Sequence, residues 1–166
     1  MKLSRESKYG LTCVRYLAAQ PEGAVRHVGE IAHVTGISYP FLAKICHRLV
    51  GGGILRSYRG RSRGYGLARP AATISLREVV EAIEGPEVLE RCVFWSDACS
   101  DSRPCVMHEL WRQVRPRMAA LMEDTSVADL ARSREVTSVL NPVPPVSTQD
   151  VTDRVENAPE AKVSTT

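Results

Sequence analysis

Long apolar runs are missing from this 166-residue chain, and none approaches the roughly 18 to 20 residues that a membrane span requires. The opening Met1-Lys2-Leu3-Ser4-Arg5-Glu6 lacks the apolar stretch of a signal peptide, so the sequence predicts a cytoplasmic protein with no membrane partner. Aromatic residues are scarce, at 5%, yet the 43% of hydrophobic residues fall in periodic groups, which predicts a folded chain up to its tail. A nucleotide-binding Gly-rich motif, a ferredoxin cysteine run and an acid–base pair in evident register are all lacking. Their absence argues against an enzyme and against an electron carrier. An even set of cysteines is lacking too. Five thiols in a reducing compartment do not make a disulfide framework, and clustered thiols there point to metal or redox work.

Acid is rare in the front half. Residues 1–70 carry 12 Lys and Arg against 3 Asp and Glu, whereas residues 71–166 carry 10 against 16. A basic front suits a polyanion and an acidic back suits a protein partner.

The periodicity predicts a first helix from about Arg5 to Ala19, with Tyr9, Cys13, Tyr16 and Leu17 on one face and Pro21 stopping it. Cys13 on that stripe reads as a small buried hydrophobe, and so does Cys46 further on. A short helix over 28–35 ends at Gly36, a residue that suits the left-handed conformation of a sharp turn. Ser38 then caps a second helix with Pro40 in its first turn, and Phe41, Leu42, Ile45 and Leu49 are expected to face inward. Small Ala32 and the Gly36 turn stand where a helix-turn-helix needs them.

Gly51-Gly52-Gly53 breaks that helix. Ile54–Tyr58 and Tyr65–Ala68 can pair as strands around the tip Arg59-Gly60-Arg61-Ser62-Arg63-Gly64. Such a hairpin is a wing, in which Arg59, Arg61 and Arg63 can reach phosphates or a narrow minor groove. Ser75-Leu76-Arg77-Glu78 is a capping box that opens a structural helix stopped by Gly85-Pro86. A long helix from about Pro104 to Glu123 carries the wide apolar stripe Met107, Leu110, Trp111, Val114, Met118, Leu121 and Met122, more than one neighbour requires. It reads as a dimer helix. Pro116 is expected to kink it or end its first half, and Ser126 to cap a last short helix to about Arg134. Beyond Leu140 the chain has no aromatic residue and four prolines, which predicts a disordered tail.

After the helix that Gly85-Pro86 stops, and leading into the long helix, stand Cys92, Cys99 and Cys105, spaced C-x6-C-x5-C, with His108 three residues beyond. Thiolates gathered in one loop select an iron–sulfur cluster, zinc or cuprous copper. On a helix beginning at Pro104, His108 would share a face with Cys105 and becomes a candidate fourth ligand, while the helix N-terminus would favour the Cys105 thiolate. Structural zinc sites usually contain a C-x2-4-C knuckle, and neither interval is that short. A cluster is the leading expectation, and a structural zinc or thiol-redox site the alternative.

The opening Met1–Ser4, the helix-turn-helix, the wing from Arg59-Gly60 to Gly64-Tyr65, the three-cysteine loop and Leu110-Trp111-Arg112 together resemble the IscR, NsrR and RirA group of the Rrf2 family of bacterial winged-helix regulators. The resemblance covers about residues 1–135. It implies a homodimer, probing an imperfectly palindromic double-stranded DNA operator and acting as a repressor, with a 2Fe-2S or 4Fe-4S cluster in each subunit that senses cluster supply, iron, redox state or nitric oxide. It further implies that Cys92, Cys99, Cys105 and His108 are the metal ligands. Ser38, Tyr39, Pro40 and Lys44 would fall on the recognition helix, and Arg59 on the wing arginine that enters a minor groove. Three departures stand out: Lys8, with Glu6 nearby, where the nitric-oxide sensor has an acidic ligand; a first cysteine interval one residue longer than in IscR; and Arg61 and Arg63 where proline or glycine is common. The expected architecture is mainly α with a small β-hairpin wing. A winged helix-turn-helix over 1–85 would be followed by the cysteine loop and dimerisation helices over 86–135 and the tail over 136–166.

Overall fold

A computed structural model describes residues 3–60, 63–91 and 100–133. The expected tail over 136–166 and residues Arg61, Cys92 and Cys99 lie outside that range.

Helix α1 (Arg5–Ala18) starts where Ser4 Oγ accepts a hydrogen bond from Ser7 N at 3.0 Å. It buries Cys13, Val14 and Leu17, while Tyr9 and Tyr16 flank that stripe half-buried. Helix α2 (Val28–Thr35) ends at Gly36, whose φ of 69° is the left-handed turn expected there. Helix α3 (Tyr39–Gly51) follows Ser38 with proline in its first turn.

Phe41 does not face inward as expected; it is 47% exposed. The buried stripe is Leu42, Ile45, Cys46 and Leu49, and Phe41 lies one residue, about 100° of helix rotation, ahead of it. Its ring instead meets Tyr9 of α1 edge-on, with centroids 6.3 Å apart.

Strands β1 (Leu55–Tyr58) and β2 (Gly64–Leu67) form the hairpin in antiparallel register, from Leu55 opposite Leu67 to Tyr58 opposite Gly64. The segment before α2 pairs with its outer edge: Arg26 and Tyr65 exchange both backbone hydrogen bonds at 2.9 Å. Glycine is required at Gly64, since a Cβ there would lie 2.3 Å from Arg26 O. The wing is thereby fixed to the body near its base.

Helix α4 (Leu76–Glu84) opens with the expected capping box between Ser75 and Glu78. It crosses α1 closely, because Gly10 leaves no Cβ in the path of the Ile83 side chain. Burial raises the Glu84 carboxyl pKa, but hydrogen bonds from Ser7 Oγ and Ser4 N and the charge of Arg91 together hold it below the ordinary value.

Helix α5 (His108–Asp124) begins four residues later than expected. Residues 105–108 instead form a turn in which His108 N donates to Cys105 O at 2.9 Å, and Met107 at the N-cap makes no side-chain capping bond. Cys105 thus precedes the helix, and the expected helical pairing of Cys105 with His108 is replaced by this turn. Nor does Pro116 end the helix, which continues to Asp124. Pro116 and Arg112, whose carbonyl loses its partner, are both exposed, so water can satisfy the freed group.

Only Trp111 of α5 is buried; Leu110, Val114 and Leu121 are 53%, 39% and 67% exposed. Helix α6 (Val127–Arg132) starts at a capping box between Ser126 and Asp129 and packs on α1, and its Val127 is fully buried in the core cluster that also holds residues of α3 and α4. The described residues form six α-helices and one two-stranded hairpin, the mainly α winged-helix architecture expected.

Candidate nucleic-acid interface and cysteine loop

The N-terminus of α3 projects its polar residues because its apolar stripe is spent on the core. Ser38, Tyr39, Pro40 and Lys44 are all exposed, and Ser38 Oγ makes no capping hydrogen bond. Pro40, Lys44 and His47 follow one another at i, i+4 and i+7 along one exposed face.

Between this helix and the wing lies an open cleft of about 390 Å³, lined by His27, Val28, Tyr39, Ser57, Tyr58, Arg59, Arg63, Gly64 and Tyr65. Three residues singled out in the sequence, Tyr39, Arg59 and Arg63, therefore converge on one concavity. Ser38, Pro40 and Lys44 do not line it, and Arg61 lies outside the described residues. The sequence reading missed His27 and Tyr58. His27 Nδ1 accepts from Gly29 N at 3.1 Å and so caps α2; its tautomer then carries the proton on Nε2. The signal available was its place immediately before an apolar-periodic segment, the position of an N-cap.

The second candidate region is the cysteine loop, whose two ends are held by the helices. Arg91, just before Cys92, donates through Nη2 to Glu84 O at 3.0 Å, and its own carbonyl accepts from Trp111 Nε1 at 3.2 Å. On the far side, His108 Nε2 and Asp101 Oδ1 are 2.7 Å apart. The His108 side chain is mostly covered, at 13% exposure, whereas Asp101 is open to solvent. Cys105 is half-buried. The expected ligands Cys92 and Cys99 lie outside the described residues, and among the described residues no three Cys, His, Asp or Glu side chains cluster as metal ligands. Glu6, the acid near the N-terminus, is engaged with Arg48 of its own chain at 2.5 Å.

The other two thiols are where the periodicity put them. Cys13 and Cys46 are fully buried, with their sulfurs 3.9 Å apart.

Three comparisons bear on this arrangement. The family model named Rrf2, described as iron-dependent transcriptional regulator, matches residues 3–133. The chain is similar to the HTH-type transcriptional regulator Rv1287 of Mycobacterium tuberculosis, 32% identical over 131 residues, covering 79% of this chain and 81% of that protein. It is 27% identical over 158 residues to the HTH-type transcriptional regulator IscR of Escherichia coli, covering 92% of this chain and 97% of that one. Among solved structures, CymR, the global cysteine regulator of B. subtilis, superposes with a TM-score of 0.66 at 27% identity, covering 79% of this chain and 96% of that one.

Proposed function

The chain belongs to the Rrf2 family of transcriptional regulators, and on that premise we propose that it is a homodimeric repressor that binds a double-stranded DNA operator and senses cluster supply, iron, redox state or nitric oxide through an iron–sulfur cluster, 2Fe-2S or 4Fe-4S. The winged helix-turn-helix of residues 1–85 carries the DNA contacts, and residues 86–135 carry the sensing loop and the dimer contact.

The observation that carries the DNA reading is the cleft in which Tyr39, Arg59 and Arg63 face one concavity between α3 and the wing. A recognition helix enters a major groove by its N-terminal residues, here Ser38, Tyr39, Pro40 and Lys44. Wing arginines at Arg59, Arg61 and Arg63 then reach the flanking phosphates or minor groove. The excess of basic over acidic residues in 1–70 adds the sequence-independent attraction. For the dimer, Leu110, Val114 and Leu121 form an apolar stripe on α5 that stays exposed among the described residues.

The donor set Cys92, Cys99, Cys105 and His108 suits an iron–sulfur cluster by its chemistry, three soft thiols and an imidazole. The Trp111–Arg91 bond supports it, because the residue before Cys92 is tied to the helix whose first residue is His108. When bound, the cluster supplies a group whose redox state and integrity respond to iron, oxidants and nitric oxide. Asp101 orients the His108 ring, as a carboxylate does for a ligating histidine. A change at the loop is passed to the DNA-binding half through Arg91 to Glu84, which in turn holds Ser4 and Ser7 at the start of α1. Similarity to IscR favours a cluster over the alternative of a structural zinc or thiol-redox site.

Protein purified without oxygen tests the cofactor. A coloured protein containing iron and acid-labile sulfide is expected. A colourless protein with one zinc per chain, or with no metal, would transfer the loop to the alternative reading.

A further inference from the structure

Cys13 and Cys46 take no part in the loop chemistry, yet they are the two most enclosed thiols among the described residues and they face each other. Cys13 lies on α1 and Cys46 on the recognition helix α3, 33 positions apart in sequence, with both side chains at zero exposure and sulfurs 3.9 Å apart. We propose that Cys13 and Cys46 are a second thiol site, separate from the cysteine loop, which a small neutral peroxide closes to a disulfide that staples α3 to α1.

The geometry is close to what the bond needs. Disulfide sulfurs stand about 2.05 Å apart, so each Sγ has to move about 1 Å, within reach of side-chain rotation on helices already packed together. No other cysteine among the described residues is placed to compete for either sulfur, and the other described thiol, Cys105, is outside this core. The two thiols also differ. The contact between the two sulfurs, the largest influence on each, lowers the pKa of Cys46 despite burial, while the same contact and burial raise that of Cys13. That direction favours Cys46 as the sulfur that reacts first, and the 3.9 Å approach places Cys13 to follow.

The reaction balances with hydrogen peroxide as the oxidant. Cys46 thiolate attacks one peroxide oxygen, the O–O bond breaks, and with one proton the products are Cys46 sulfenic acid and water. Cys13 sulfur then displaces the sulfenic oxygen, the S–S bond forms, and its thiol proton leaves with that oxygen as a second water. Two thiols have been oxidised by two electrons and one peroxide reduced. Burial selects this oxidant: a buried thiol is shielded from bulky disulfides, and a molecule the size of peroxide needs only a local opening between α1 and α3.

The placement gives the bond a consequence. Tyr65 of the wing packs against the core that contains both thiols, so the staple joins α1 and the recognition helix beside the base of the wing.

Peptide mapping of the full chain tests the site without reference to the cluster. The metal-free folded protein is exposed to hydrogen peroxide, quenched in acid, alkylated in denaturant and cut after Lys and Arg. Expected is a linked pair of peptides 9–15 and 45–48, lighter by two hydrogens than their sum, absent from the untreated sample and collapsed by reductant. A variant with Cys92, Cys99 and Cys105 all changed to Ser should give the same linked pair, and Cys46→Ser should leave Cys13 alkylatable. Recovery of both peptides alkylated and unlinked from the native protein, under peroxide that oxidises Cys105, would overturn the proposal. So would linkage of either peptide to a loop cysteine, whether or not the variants fold.

Discussion

Arg59 is the residue whose role is simplest to isolate, because its side chain lines the cleft beside α3 and serves no buried contact. Arg59→Ala should weaken DNA binding by about 1 to 3 kcal/mol, the usual loss for a groove contact, and leave thermal stability unchanged. Mobility-shift titrations with a duplex selected by the wild-type protein measure the first, and a melting curve the second. Glu84 makes the opposite case, a charge that acts on stability. Its folded pKa lies below the ordinary value of about 4.5, so its stabilising effect is complete above that pH and is lost as pH falls through the lower folded value. Glu84→Gln should therefore melt at a lower temperature than wild type at pH 7, and the gap should shrink on acidification below about pH 4.5. A gap that stays constant to pH 3 would mean that the Ser4, Ser7 and Arg91 contacts contribute nothing through the charge. Residue identity singled out Arg59 and Arg63 because arginine in a glycine-bearing tip has little else to do, and both line the cleft. It did not foretell Glu84, since a carboxylate at the end of a helix looks like any solvated surface acid until the fold brings Ser4 and Ser7 to it.

Elements with self-contained signals were legible in the sequence. The Gly36 turn, the Ser75–Glu78 capping box and the Arg-rich hairpin each rest on side chains within a few residues of one another, and each appears where expected. Features decided at a distance were less so. The expected inward set of α3 included Phe41, and packing against α1 leaves that residue at the rim beside Tyr9. The start of α5 was not announced by any local cap, since Met107 at its N-cap makes no side-chain capping bond. The role of α5 can be tested on the exposed stripe. Leu121→Asp and Leu110→Asp should leave the secondary structure intact, because both side chains are more than half exposed. Each should shift the protein from dimer to monomer by raising the dissociation constant at least tenfold, as a desolvated charge in an apolar contact would. Sedimentation across a concentration series reads this; two variants that remain dimeric at the wild-type dissociation constant would place the dimer contact elsewhere.

At the scale of the molecule, the wing, the recognition helix and the cysteine loop are joined through α1 and α4. Arg91 at the loop's edge reaches Glu84 at the end of α4, Glu84 holds the start of α1, and α1 packs on α3. Coupling along this route requires that the loaded and empty loops favour different arrangements of the two recognition helices in the dimer. Much of the candidate site could be inferred from order alone: a helix-turn-helix, then a wing, then clustered thiols, then an apolar helix. The sequence could not say how loop and wing communicate, because Glu84, Trp111 and Asp101 take their meaning from partners 7 to 80 residues away. The central claim is that the loop's cluster controls DNA affinity. The most direct measurement is a binding titration of one selected duplex, at fixed salt and without oxygen, with the anaerobically purified protein and with the same preparation stripped of iron by a chelator. The affinities should differ at least tenfold, and the difference should vanish in Cys92→Ala, Cys99→Ala and Cys105→Ala. Equal affinity of loaded and stripped protein, both dimeric and folded, would contradict the claim.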